Sequence, residues 1–447
     1  MSPATTPPAT PPPARPGIKK VLLRFAKIAG SAYALRATLS SLPPLVLALV
    51  SRRGRARLLT QLLASQLSAL KTGLALGGYS IVSSLAAGCG KSAETQAAVT
   101  GLAGSAALTM FDTETRISVF LYLAVRVIQA AGNAAAAGEL HPSLPPIKVP
   151  HAGALLFALS SAQVMASALA HPETLPKSYY AFIYRTQPIS DVMLEAIRAV
   201  LAGTPLSDPG RQLAHMADEG VGLSTLESAA RDLLALDPDP GVRGKALASA
   251  LECGASVISS QGIPCYILHP GRPACRSQFA YTWLKAARSG LPLYASLNVL
   301  SLLFRRKALL ENPIKTLLKM SLSVSRSTAF LATFCALFMG AICAHRRTPL
   351  PDSTATYFVA GLLCSSAIMI EQPQRRTELA LYVLPRALSS AFWILVKNGL
   401  LSPIPWGETG SFGLCMAILH YLYLTRPHLL SPLLVKLFKL MRVGDPV

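Results

Sequence analysis

GLAGSAALTMFDTETRISVFLYLAVRV (101–127) and GLLCSSAIMIEQPQRRTELALYVLPRA (361–387) lie over one another at an offset of 260 residues. Identities fall at Gly101/Gly361, Leu102/Leu362, Ser105/Ser365, Ala107/Ala367, Arg116/Arg376, Leu121/Leu381, Tyr122/Tyr382 and Arg126/Arg386. Each stretch runs from a small-residue apolar segment, through a polar break, into a second apolar segment interrupted by one arginine. At offset 257, Pro146-Ile147 lies over Pro403-Ile404 and Gly153 over Gly410. Five elements matched in order read as an internal duplication.

Outward from these stretches the chain is a series of uncharged runs. They cover Thr72–Gly90, Thr95–Phe111, Val149–Pro172, Ser327–His345, Ser353–Ile370 and Thr409–Thr425, each near the roughly 17–25 residues that cross a bilayer. Ile117–Ala137 and Thr377–Val396 are the two arginine-interrupted segments. Two shorter runs, Ala37–Ser51 and Ser289–Phe304, carry Pro43, Pro44 and Pro292 and end in paired arginines. The basic stretches 51–71 and 305–326 contain between them one acid, Glu311. Positive-inside bias places both on the cytosolic side, which requires an even number of spans per module. The short proline-bearing runs are then interfacial or re-entrant. The expectation is eight spans, both termini cytosolic.

Composition agrees. Of 447 residues 51% are hydrophobic and 14% charged, where soluble domains carry roughly a quarter charged residues. Mean hydropathy is +0.43 and net charge +21. Nucleic-acid binders share the charge but not the apolarity, so no nucleic-acid partner is expected. Five of the eight cysteines (Cys89, Cys335, Cys343, Cys364, Cys415) lie in or beside apolar runs, the habit of buried free thiols.

The fold class is therefore all-α: a multi-pass membrane protein of two repeated four-span helical modules joined by a soluble helical insert. Residues 1–17 are a Pro-rich disordered tail. Residues 18–172 form the first module, opening with a basic amphipathic helix over Ile18–Ala29 suited to an anionic membrane surface. Residues 173–262 are the insert, with helical periodicity at Asp191–Leu201, Ser224–Leu236 and Gly241–Ser259. Residues 263–288 are a cysteine-containing segment, and 289–447 the second module with a basic tail.

Few residues carry chemistry. Arg126 and Arg386 stand about ten residues, roughly 15 Å, inside their helices, each with a tyrosine one turn earlier (Tyr122, Tyr382). A midplane cation is expensive unless it faces protein, so these four residues form a candidate intramembrane polar site for a solute or a lipid headgroup. An arginine snorkelling to the interface is the competing reading. Cys253, Cys265, His269 and Cys275 are a possible zinc set, but paired C-x2-C knuckles are absent. The expected reading there is a Gly- and Pro-rich bend with unligated thiols, and no metal or cofactor is expected. Gly88-Cys89-Gly90-Lys91-Ser92 ends like a P-loop but lacks its first glycine. No catalytic residue is assigned, and the chain is read as no enzyme.

CYILHPGRPACRSQF (265–279), followed by LPLYASLNVLSLLFRRK (291–307), resembles the cysteine-rich region of the transmembrane protein 135 family. GLAGSAALTMF, SVFLYLAVR and SSAQVMASALAHPETLPKSYY (160–180) resemble that family's membrane repeats. Those repeats are similar in turn to the channel subunits of mitochondrial inner-membrane translocases and to small peroxisomal membrane proteins. The resemblance covers roughly 60–185 and 263–435; it departs in that a whole module precedes the cysteine-rich stretch. It implies a peroxisomal or, alternatively, mitochondrial membrane protein linked to lipid handling and organelle dynamics, with a transport, channel-like or organising role. Its partners would be the bilayer, anionic headgroups and unidentified proteins. A membrane anchor whose insert binds a partner is one alternative. A lipid-modifying enzyme is another, although the runs offer only scattered His151, His171 and His420.

Overall fold

The computed structural model describes residues 18–50, 55–88, 92–141, 143–186, 191–202, 269, 272, 274–304, 310–348 and 350–441. The described elements are helical: α1 (Ile18–Val50), α2 (Arg55–Gly88), α3 (Ala93–Leu108), α4 (Thr113–Ala137), α5 (Ala152–Ala170), α6 (Lys177–Thr186), α7 (Asp191–Ala202), α8 (Cys275–Phe304), α9 (Pro313–His345), α10 (Thr354–Cys364), α11 (Pro373–Lys397), α12 (Gly407–Thr425) and α13 (Pro432–Leu440). Short 3-10 turns cover Pro172–Thr174, Ser365–Ile370 and Pro427–Leu429. The Pro-rich tail, the helices expected at 224–236 and 241–259, and Cys253 and Cys265 lie outside the described residues.

Local signals set the helix ends, and similar ones occur in both halves of the chain, at spacings of 261 and 255 residues and not at the 260 and 257 of the sequence alignment. Ser92 caps α3 by accepting from the Thr95 amide, and Ser353 caps α10 by accepting from the Thr356 amide. Asp112 caps α4 through the Thr115 amide at 2.9 Å. After α4 and α11 the chain turns through left-handed glycines, Gly138 (φ 74°) and Gly399 (φ 72°). α5 and α12 are each entered through a left-handed non-glycine residue, His151 (φ 55°) and Trp406 (φ 60°).

Two compact units result. The first comprises 1–149 and 403–447, the second 150–402. The boundaries expected from the sequence lie at 172 and 289; here α5 belongs to the second unit and α12 to the first. In the first unit α12 packs on α3 and α4, and α1 on α2. Its core joins Tyr79, Leu108, Leu123, Phe412, Leu419 and Phe438. In the second unit α5 packs on α10 and α11, and α8 on α9. There Phe157, Val164 and Ala168 of α5 bury against Phe330, Ala332 and Ala387. Met165 and Leu169 bury against Phe338, Met339 and Tyr357. The physical reason is backbone proximity. A Cβ on Gly101 would lie 2.9 Å from the Ala417 Cβ, and one on Gly361 would lie 2.6 Å from the Ala162 Cα. Only glycine permits such crossings.

The beginning of the expected soluble insert is part of the second unit. Ile183 of α6 and Leu194 and Ile197 of α7 are buried in its core. The basic helix and the proline-bearing run after it merge into the 33-residue α1, and Ser289–Phe304 is the second half of α8, with Pro292 inside it. The basic stretches expected as loops continue as helix over 55–71 and 313–326.

Eight spans were expected; among the described residues four helices are long and apolar enough to cross a membrane, α4, α5, α9 and α11. α3, at 16 residues, is about 24 Å long, short of a hydrocarbon core of roughly 30 Å. The apolar half of α2 is diluted by glycines and serines, and α10 ends after 11 residues in a 3-10 turn. Apolar side chains face outward from the crossing helices, including Leu155 and Leu159 of α5 and Leu318 and Leu322 of α9. Such faces suit lipid and not water.

Candidate functional site

Inside the second unit lies a cavity of about 660 Å³, walled by α5, α6, α8, α9 and α11. Most of its wall is apolar: Phe157 and Val164 from α5, Phe182 and Ile183 from α6, Phe330 and Phe334 from α9. Phe157 meets Phe330 and Phe334 edge-on at centroid distances of 5.7 and 6.1 Å, so the aromatic wall is well packed.

Arg386 of α11 is the charged residue of the lining. Its guanidinium carbon lies 3.9 Å from the Tyr382 ring and 5.0 Å from the Tyr179 ring. It also donates to the Tyr382 carbonyl. Two aromatic faces hold a cation without neutralising it, leaving donors for an anion. Tyr179, on α6, is half-buried. Burial pushes its hydroxyl above the ordinary tyrosine range although Arg386 pulls it down, so it stays a protonated donor at neutral pH. The remaining polar lining consists of Ser161, Ser178, Thr186, Tyr294 and Cys335.

Hydroxyls tie the helices that carry this site. Ser390 of α11 donates to Ser167 of α5 at 2.7 Å and lies 2.7 Å from the Thr174 hydroxyl. All three are buried.

The other predicted pair sits in the first unit. Arg126 is buried, 5.1 Å over the Tyr122 ring, and donates to Gln129 Oε1 at 2.8 Å. Tyr122 itself is exposed. Arg126 and Arg386 thus share a sequence position but not an environment, since one is enclosed by protein and the other borders a cavity. The earlier arginine of each helix is a structural tie. Arg116 pairs with Glu408 at 2.9 Å, lies 4.4 Å over Trp406 and donates to the Phe111 carbonyl. Arg376 donates to the Glu371 and Met369 carbonyls, both at 2.9 Å.

Of the possible zinc set, His269 and Cys275 are described, and their donor atoms and that of Cys343 lie within 4.8 Å of one another. Sequence reasoning missed two residues here. Tyr179 falls in the stretch read as insert, and Cys343 reads as a core thiol inside an apolar run.

Residues 263–396 match the family model of the N-terminal cysteine-rich region of Transmembrane protein 135. The match takes in the segment 265–307, α9, α10 and nearly all of α11, and supports the resemblance read there. With four apolar helices, it makes the chain an integral membrane protein. No curated protein and no solved structure matches the chain.

Proposed function

We propose that this chain, which resembles the Transmembrane protein 135 family over residues 263–396, takes an amphiphilic lipid with an anionic headgroup into the cavity of its second unit. It serves lipid handling in a peroxisomal or mitochondrial membrane. One observation carries the reading: an apolar cavity of about 660 Å³ bordered by an arginine that two tyrosines hold. That volume lies within the roughly 300–1,000 Å³ usual for small-molecule sites. The acyl chain fits the aromatic wall, and the guanidinium offers a fork of donors to a carboxylate or phosphate.

The test is binding of palmitate and of lysophosphatidate to the purified full chain in nanodiscs, with dodecanol as an uncharged comparison. Both anions should bind and dodecanol should bind at least tenfold more weakly. Leu297→Trp, at an exposed lining position, should weaken both. Equal binding of dodecanol and palmitate, or no effect of the tryptophan, overturns the proposal. Imaging the tagged full chain against peroxisomal and mitochondrial markers tests the compartment.

A further inference from the structure

The geometry points to a second site, unrelated to the cavity: a zinc site formed by His269, Cys275 and Cys343. His269 precedes α8, Cys275 is the first residue of α8, and Cys343 lies two residues before the end of α9. Their donor atoms all lie within 4.8 Å of one another, with His269 and Cys343 buried and Cys275 half-buried. The juxtaposition comes from the helix pair and not from a local loop. α8 and α9 pack together, and a Cβ on Gly340 would sit 3.3 Å from the Phe279 ring. That close approach brings the start of α8 beside the end of α9.

Three further features suit a metal. His269 Nδ1 lies 2.9 Å from the Arg272 carbonyl oxygen. A carbonyl can only accept, so Nδ1 carries the proton and Nε2 the lone pair, the arrangement by which metal-binding histidines are oriented. Arg272, whose carbonyl does this, is itself fixed. Its guanidinium carbon lies 3.5 Å from the Tyr281 ring on α8, which holds Arg272 against that helix. Charge also balances. Two thiolates and a neutral imidazole offset a divalent cation fully, so the filled site places no net charge in a mostly buried position, whereas a monovalent metal would leave a negative one. Donors in a tetrahedral zinc site stand about 3.5–3.8 Å apart, so no pair here has to close by more than roughly 1.3 Å. Binding releases the two thiol protons to solvent and involves no redox change.

The bound ion would tie the turn before α8 to the end of α9. Next to it, Asp352 pairs with Arg346 and lies 3.4 Å from His345, joining the end of α9 to the start of α10. The end of the helix pair would thus be fixed from both sides. Cys343 lies 68 residues beyond Cys275 in sequence (343 − 275), so the site joins the ends of two helices and not a local cluster.

The experiment is metal analysis of the full chain, purified in detergent without chelators and with a tag free of histidine. About one zinc per chain is expected, retained in Cys364→Ser and lost in Cys343→Ser and His269→Ala. Should those variants fail to fold, cobalt exchange into the wild-type chain decides. Thiolate-to-cobalt charge-transfer bands support the site, and their absence overturns it. A chain without zinc, one holding copper instead, zinc unaffected by all of these substitutions, or a disulfide between Cys275 and Cys343 also overturns it.

Discussion

Gly361 of α10 crosses Ala162 of α5 so closely that an added Cβ would lie 2.6 Å from the Ala162 Cα. Backbone and not a flexible side chain is the obstacle, so the helices must part. Gly361→Ala should cost about 1–3 kcal/mol as an overpacking change. Gly78 of α2 has nothing within 4 Å of the same added atom, and Gly78→Ala should instead stabilise by about 0.5–1 kcal/mol. Thermal unfolding in detergent reads both. Equal effects would mean that the α5–α10 crossing is looser than described.

The same crossing shows what the sequence could and could not convey. α4, α5, α9 and α11 are legible as uninterrupted or once-interrupted apolar runs, because length and hydropathy are properties of single segments. Partner choice is not such a property. Gly101 and Gly361 are visible as matched glycines, but nothing in either run says that one meets Ala417 and the other Ala162. The exchange of α5 and α12 between units therefore went unread. The site was half legible. Arg386 and Tyr382 follow from one helix and its register, while Tyr179 arrives from α6, in a stretch whose polar residues read as the start of the insert. Cys343 is an apolar-run thiol like Cys335 and Cys364, and only the pairing of α8 with α9 sets it apart.

Asp352 and Arg346 form a buried ion pair whose side chains are 1% and 3% exposed, with the Tyr357 hydroxyl 3.3 Å from the carboxylate. Removing one partner leaves the other charge buried. Asp352→Asn should lower stability by about 3–5 kcal/mol, and adding Arg346→Met should restore much of the loss. Because the pair is hidden from solvent, the cost should change little with salt. Denaturant unfolding of both variants at two ionic strengths checks this. An additive double mutant would show that the two charges are not coupled.

The Asp112 cap of α4 makes stability depend on acid. The Thr115 amide, then the Thr115 hydroxyl, hold its carboxyl below the ordinary aspartate value of 3.8. A folded pKa lowered in this way gives stability that is fully present above the unfolded value and is lost as pH falls through the folded one. The window is therefore below about pH 4. At neutral pH, Asp112→Ala should cost about 1 kcal/mol. Asp112→Asn should keep most of the cap and remove its acid sensitivity. Unfolding midpoints measured from pH 3 to 7 test the sign, and an identical acid profile for Asn and Asp would count against the cap.

Arg126 and Arg386 occupy matched positions, yet their substitution should separate stability from binding. Arg126 is enclosed, with Tyr122 under its guanidinium and Gln129 accepting from it. Arg126→Gln shortens a buried side chain and gives up its contacts with Tyr122 and Gln129, at about 1–3 kcal/mol. It touches no lining residue of the cavity, so affinity for palmitate should stay within about twofold of wild type. Arg386 borders the cavity and rests on two rings, and its helix is already tied to α5 through Ser390 and Ser167. Arg386→Gln should leave unfolding nearly unchanged and weaken palmitate binding at least tenfold, about 1.4 kcal/mol. Arg386→Lys restores the charge without the planar fork and should recover only part of that loss. If Arg386→Gln binds palmitate as wild type does, the arginine is a structural residue and the cavity has no headgroup site. If instead Arg126→Gln abolishes binding without loss of stability, the lipid site belongs to the first unit.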